Sequence, residues 1–134
     1  QATLNGAKSR RAGWNKVSDP STGWFASKTS GWTADSFSGG LTVDFSSVVP
    51  AGTRAVRVLV YQIATLNGIL YRRGSDANVA NAPWSGAEYA NLILSSSEAL
   101  AVCEIYLSSS LTADFAVLNT SQDVYVSYPV EYLL

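Results

Sequence analysis

The sequence predicts an all-β domain, an antiparallel β-sandwich that is jelly-roll-like, with about seven or eight strands. Three observations point there. Apolar and polar residues alternate with a period of two through most of the chain after position 40, turn-forming clusters recur roughly every 8 to 13 residues, and no segment sustains a 3.6-residue period.

Residues 1–40 are rich in Gly, Ser, Thr and Asn and hold Trp14, Trp24 and Trp32 among turn formers. They read as loops and short strands packing on a sandwich of residues 41–134. Leu41, Val43 and Phe45 alternate with Thr42, Asp44 and Ser46, a strand with one wet side. Val49-Pro50-Ala51-Gly52-Thr53 is a turn signal, because Pro presets φ and Gly accepts positive φ, and a hairpin is expected to follow. Arg54 to Ile63 is β-branched and alternating, with Val56, Val58 and Val60 opposite Ala55, Arg57, Leu59 and Tyr61.

Asn67-Gly68 is a two-residue turn signal. Arg72 to Asp76 and Asn78 to Gly86 form a long polar loop carrying Pro83 and Trp84, and loops of that length in a compact domain are usually functional. Helix content is expected to be minimal, the best candidate being one turn near Ser85 to Ala90, with Ser85 capping and Glu88 three residues on. Strands at Tyr89–Leu94, Ala99–Leu107, Ala113–Leu118 and Asp123–Tyr132 are then separated by serine-rich breaks, the spacing of a meander. In the last of them Val124, Val126, Tyr128, Val130 and Tyr132 share a face, and Pro129, which cannot donate a ladder hydrogen bond, marks an edge or bulge.

Composition narrows the chemistry. The 134 residues carry nine Lys and Arg, ten Asp and Glu and no His, a net charge of -1. That near-neutral balance lacks the basic footprint of a nucleic-acid binder. Without His, neither Ser-His-Asp nor Cys-His catalysis nor an imidazole zinc site can be assembled. No run approaches the roughly 18 apolar residues of a membrane helix, so no membrane insertion is expected. The chain starts at Gln1 and contains no Met, the mark of a processed product or of a piece of a longer polypeptide. Cys103 is unpaired and reads as a small buried hydrophobe, consistent with folding in a reducing cytoplasm.

Charge is uneven along the chain. Up to Arg73 there are nine bases against three acids, a balance of +6, and after it seven acids and no base, a balance of -7. Cross-strand pairing between early and late strands explains this, with complementary faces of identical subunits as the other option.

No carboxylate pair stands out, since Asp44, Glu104 and Asp114 occupy strand positions that read as solvated. Asp76-Ala77-Asn78 lacks the remainder of a calcium loop. Neither a metal nor a cofactor is expected, and the chain reads as non-catalytic. Asn119-Thr120-Ser121 matches a glycosylation acceptor in form only. The aromatic residues are the best binding groups, because flat rings stack on sugars while nearby polar side chains satisfy hydroxyls. Trp84 leads, with Arg72, Arg73, Asp76, Asn78 and Asn81 as polar company; the competing role for Trp84 is to plug one end of the sandwich.

From about Leu41 to Leu134 the texture resembles the β-sandwich domains at the distal or C-terminal parts of bacteriophage tail fibres, tailspikes and related virion appendages. The residues that carry the resemblance run from Leu41-Thr42-Val43-Asp44-Phe45 through Val56-Arg57-Val58-Leu59-Val60-Tyr61. The polar loop ending Pro83-Trp84-Ser85-Gly86 and the closing Val124-Tyr125-Val126-Ser127-Tyr128-Pro129-Val130-Glu131-Tyr132 complete it. The resemblance implies a homotrimeric, non-catalytic virion module that binds a host surface polysaccharide. Two alternatives stay open: a trimerising or capping virion domain that binds no glycan, and a carbohydrate-binding module of a secreted bacterial enzyme.

Overall fold

The computed structural model describes residues 13–63, 68–76, 79, 91–94 and 98–134. These residues form ten strands in two antiparallel sheets. The strands are β1 (Trp14–Lys16), β2 (Trp24–Lys28), β3 (Leu41–Asp44), β4 (Ala55–Ile63), β5 (Ile69–Arg73), β6 (Asn91–Leu94), β7 (Glu98–Tyr106), β8 (Thr112–Val117), β9 (Asp123–Ser127) and β10 (Glu131–Leu133).

The first sheet is organised by β4, whose β-branched run favours extended backbone. Along its whole length β4 pairs with β7, from Ala55↔Tyr106 to Ile63↔Glu98. On its other side it meets β10 at Ala55–Arg57 and β9 at Val60–Ile63. β9 and β10 are thus two halves of one column, interrupted at residues 128–130 where Pro129 has no N–H to offer. Ser127 bridges the gap: its Oγ accepts the Leu59 N–H at 2.8 Å and donates to the Tyr128 carbonyl at 2.9 Å. Val130, expected to share a face with Val124 and Val126, is exposed while they are buried, because the interruption resets the alternation. Outside this column β2 continues from β9 and β1 from β10.

The second sheet has the order β3-β8-β5-β6, and the corresponding columns of the first are β2-β9-β4-β7. From β2 to β9 every connection crosses between the sheets except β5 to β6. That is the double Greek-key winding of a jelly roll. It corrects two expectations. The turn at 49–53 forms, with Thr53 N–H donating to the Pro50 carbonyl and Gly52 at φ 87°, but it leads from β3 in one sheet to β4 in the other, so no hairpin results. The late strands are not a meander, since β6 and β8 belong to the second sheet and β7 and β9 to the first. Alternation specifies which face of a strand is buried, and both sheets of a sandwich bury one face, so the rhythm cannot say which sheet a strand joins.

The main core lies between the sheets. Val56, Val58 and Val60 of β4, Ile105 of β7 and Val124 and Val126 of β9 meet Val43 and Phe45, Ile69 and Tyr71, and Ala113, Phe115 and Val117 from the other side. Each Val or Ile contributes roughly 1.5–3 kcal/mol by burial. A second, smaller cluster of Phe37, Leu70, Val79 and Ala116 covers the outside of the second sheet. A third, Trp14, Ala55 and Leu133, closes one end of the first sheet's outer side.

Candidate functional site

Arg72 and Arg73 end β5, and the register sets Arg72 opposite Asp114 on β8. Asp114 is only 5% exposed, so its earlier placement on a solvated face is corrected. The physical reason is the second cluster, which roofs that side of the sheet. Both carboxylate oxygens are committed: Oδ2 accepts Arg72 Nε–H at 2.9 Å and the Ser75 N–H at 2.9 Å, and Oδ1 accepts the Thr42 hydroxyl at 2.8 Å. Arg72 donates its Nη1–H to the Val79 carbonyl at 2.7 Å and lies over the Phe37 ring at 4.7 Å. The pair clamps the chain leaving β5 onto the sheet.

Arg73 points outward, 57% exposed, and pairs with Asp76 at 3.3 Å. Arg72, Arg73 and Asp76 are therefore brought together at one end of the second sheet, with the first engaged inward and the second at the surface. Trp84, Asn78 and Asn81 lie outside the described residues, as does the expected turn at Ser85–Ala90.

Among the described residues, part of the charge asymmetry is taken up by cross-strand pairs of Arg57 and Arg72 with later acids. Arg57 stands opposite Glu104 on β7 and Glu131 on β10 and binds both, Glu104 at 2.9 Å, with its guanidinium over the Trp14 ring at 4.3 Å. Burial pulls the Arg57 guanidinium down, but the bonds to the two carboxylates outweigh it and leave it above its ordinary range. Early bases meet late acids because the jelly roll lays β4 beside β7 and β10, and β5 beside β8.

Sequence reasoning missed the outer face of the first sheet. On one side of the Arg57 belt the outward positions are Leu59, Tyr61 and Ile63 on β4, Glu98, Leu100 and Val102 on β7, Asp123 and Tyr125 on β9 and Trp24 and Ser27 on β2, while Tyr106, opposite Ala55, lies on the other side. Val102 is 65% exposed, Leu100 59%, Tyr106 44%, Trp24 43% and Ile63 42%. Apart from Tyr106, register makes them contiguous, since Leu100 stands opposite Tyr61, Tyr61 opposite Tyr125, and Val102 opposite Leu59. Trp24 stacks on Tyr61 at 6.0 Å between ring centroids and leans on Tyr125 at 5.6 Å. A signal was available in the outward half of β4, where Leu59, Tyr61 and Ile63 stand where a wet face needs polar residues.

Other distinctive groups serve the fold. Cys103 is buried beside Ile105, and desolvation pushes its thiol up. Desolvation likewise raises the Tyr71 phenol, whose oxygen accepts the Tyr106 N–H at 3.2 Å. The backbone N–H of Ser46, and then its hydroxyl, hold the Asp44 carboxyl below its usual range. Asn119 and Ser121 form a turn, with Asn119 Oδ1 accepting both the N–H and the hydroxyl of Ser121. Trp32 is buried and donates to the Gln122 carbonyl at 2.8 Å. Two open hollows adjoin Val17 and Pro20, one of about 110 Å³ against Tyr128 and Pro129 and one of about 430 Å³ against Val130 and Glu131. Among the described residues no group of three or more acids and thiols is placed to hold a metal.

No family model matches the chain. No curated protein matches it. A solved structure with which it aligns is the coat protein of Tobacco streak virus, at 14% identity over 90% of each chain and a TM-score of 0.36. An overlay that loose adds no weight to the strand order, on which the fold assignment rests.

Proposed function

We propose that the chain is a non-catalytic structural module of a virion, a jelly roll built into a homo-oligomer such as a bacteriophage tail appendage. The strand order carries this reading. Double Greek-key sandwiches are the recurrent building block of virus shells, and their closely hydrogen-bonded sheets give a rigid unit that loses little freedom when built into an assembly. This is an argument from fold. The carboxylates support the non-catalytic part, because Asp114, Glu104 and Glu131 each hold an arginine within the chain. Proteomics of particles purified from cells that carry the gene tests the reading. Peptides of the chain in fixed ratio to known structural proteins are the expected result, and their absence from the particles overturns it.

A second reading is favoured by one observation, the half-exposed Trp24 stacked among Tyr61 and Tyr125, since jelly rolls also serve as lectins and bare rings accept sugar faces. In it the module binds a host surface polysaccharide, on these rings or at the loop of Arg72, Arg73, Asp76, Asn78, Asn81 and Trp84. Binding to a glycan array, abolished by Trp24→Ala or Trp84→Ala, is what this reading expects. A blank array removes it.

A further inference from the structure

We infer that β1 is an exchangeable strap, seated on its own chain in the free module and in the same slot of a neighbouring copy once the module is assembled. The inference rests on the homo-oligomer reading above and names the segment that crosses between copies.

β1 is a three-residue strand at the edge of the first sheet, anchored chiefly by one side chain. Trp14 is buried against Ala55 and Leu133, and the Arg57 guanidinium lies 4.3 Å from the centre of its ring. Three rungs to β10 and the Val17 N–H, which donates to the Val130 carbonyl at 3.0 Å, complete the attachment. Ala55 and Arg57 belong to β4 and Leu133 to β10, so the slot is whole without β1 and receives the strap of any copy on equal terms. A second copy needs no new contact surface. Exchange of an identical element is for that reason a low-cost route to an oligomer.

The link from β1 to β2 is built to let go. Ser18 to Gly23 are all exposed, and the two open hollows beside Val17 and Pro20 leave the link loosely packed on the sandwich. Asp19 stands at φ 47°, in the left-handed region that disfavours a residue with a side chain, and Pro20 after it favours an extended residue at that position. The folded-back hinge therefore opposes the preference of its own sequence, and straightening it removes the conflict. Extended, residues 17–23 reach roughly 24 Å, the width of about five strands.

A disulfide placed between strap and slot reports where the strap lies. Lys16 and Glu131 stand opposite each other, and the Val17–Val130 bond beside them makes theirs a non-hydrogen-bonded pair, whose close side chains suit a disulfide. The full chain with Lys16→Cys and Glu131→Cys, and with Cys103→Ala to remove the native thiol, is equilibrated at low and high micromolar concentration, oxidised and run on a non-reducing gel. Sedimentation velocity of the wild type gives the oligomeric state alongside. Arg57 keeps its bond to Glu104 in this variant, and circular dichroism checks the fold. Oligomers whose chains are linked to one another are the expected result, with the bridge inside single chains at low concentration. Two hinge variants of the otherwise native chain supply a second readout. Asp19→Gly accepts positive φ freely and should shift the equilibrium roughly 5-fold toward monomer, whereas Asp19→Val should shift it as far toward oligomer. Oligomers whose bridges all lie within single chains overturn the exchange and spare the assembly reading, since the copies then meet elsewhere. If the bridge variant does not fold, the hinge variants decide, and an equilibrium indifferent to both overturns the exchange. A wild type that stays monomeric at every concentration overturns the exchange together with the homo-oligomer on which it rests.

Discussion

Replacing Gln122 with Leu is the sharpest test of how this sandwich holds together. Gln122 is fully buried in the turn between β8 and β9 and bonds in four directions. Its Oε1 accepts the N–H groups of Leu118 at 3.1 Å and Asn119 at 3.0 Å. Its Nε2 donates to Gln62 Oε1 at 2.8 Å and to the Gly68 carbonyl at 3.2 Å. Leucine has similar bulk and none of these groups, so the substitution leaves four polar partners behind. An unsatisfied buried group costs roughly 1–3 kcal/mol. Leu118 and Asn119 are half-buried, where water can reach, and belong at the low end, whereas Gln62 and Gly68 are buried and belong higher. The total is about 4–6 kcal/mol, a large share of the roughly 5–15 kcal/mol that stabilises a domain. At about 4 °C per kcal/mol the melting temperature should fall by roughly 15 °C or more. Equilibrium urea unfolding, followed by circular dichroism and by tryptophan fluorescence, measures it directly. Trp32 reports locally through its bond to the Gln122 carbonyl. A loss below about 1 kcal/mol with an unchanged denaturant slope would refute the reasoning, because the four groups would then be finding other partners without cost.

Two more outcomes follow from the same geometry. Asp114→Asn and Arg72→Leu should each cost about 3–5 kcal/mol, since the side chains are only 8% and 11% exposed and each change strands a polar partner, while the double variant should cost far less than the sum; additive losses in a urea-unfolding cycle would show the clamp to be idle. Tyr71 gives a pH dependence: burial raises its folded pKa above the ordinary phenol value of 10.0, so its contribution is complete below about pH 10 and is lost as pH rises through the folded value, and Tyr71→Phe should flatten the alkaline limb of melting temperature against pH.

Strand positions were legible where one face is wet. Val43 and Phe45 against Thr42 and Asp44, or Val56, Val58 and Val60 against Arg57, carry their own register. Partners were not legible, because Val56 packs equally well in either sheet of a sandwich, and only the fold says that β4 lies between β7 and β9. Asp114 was misplaced because it sits in a strand buried on both faces. The near-continuous run Ala113-Asp114-Phe115-Ala116-Val117 was the available signal, as unbroken apolar texture means two covered sides. Gln62 likewise shares parity with Val56, Val58 and Val60, so a polar residue in an inward position announced a buried bond. Gln122 left no such trace, since a turn residue has no periodicity to violate. Of the candidate site, Arg72, Arg73 and Asp76 do converge, but the depth at which Arg72 is held depends on Phe37 and Val79, which no local pattern connects to it.

The pairing of β1 with β10 sets how the module responds to mechanical load. Trp14 stands opposite Leu133 and Lys16 opposite Glu131, so the strands run antiparallel with their outer ends side by side. Tension applied through both flanks would open this ladder like a zipper, one rung at a time, beginning at Trp14 and Leu133. A pull directed along β4 and β7 would instead have to shear nine residue pairs together. The sandwich is therefore weak along one axis and tough along another, and any filament that incorporates it gains strength by routing force along the tough one.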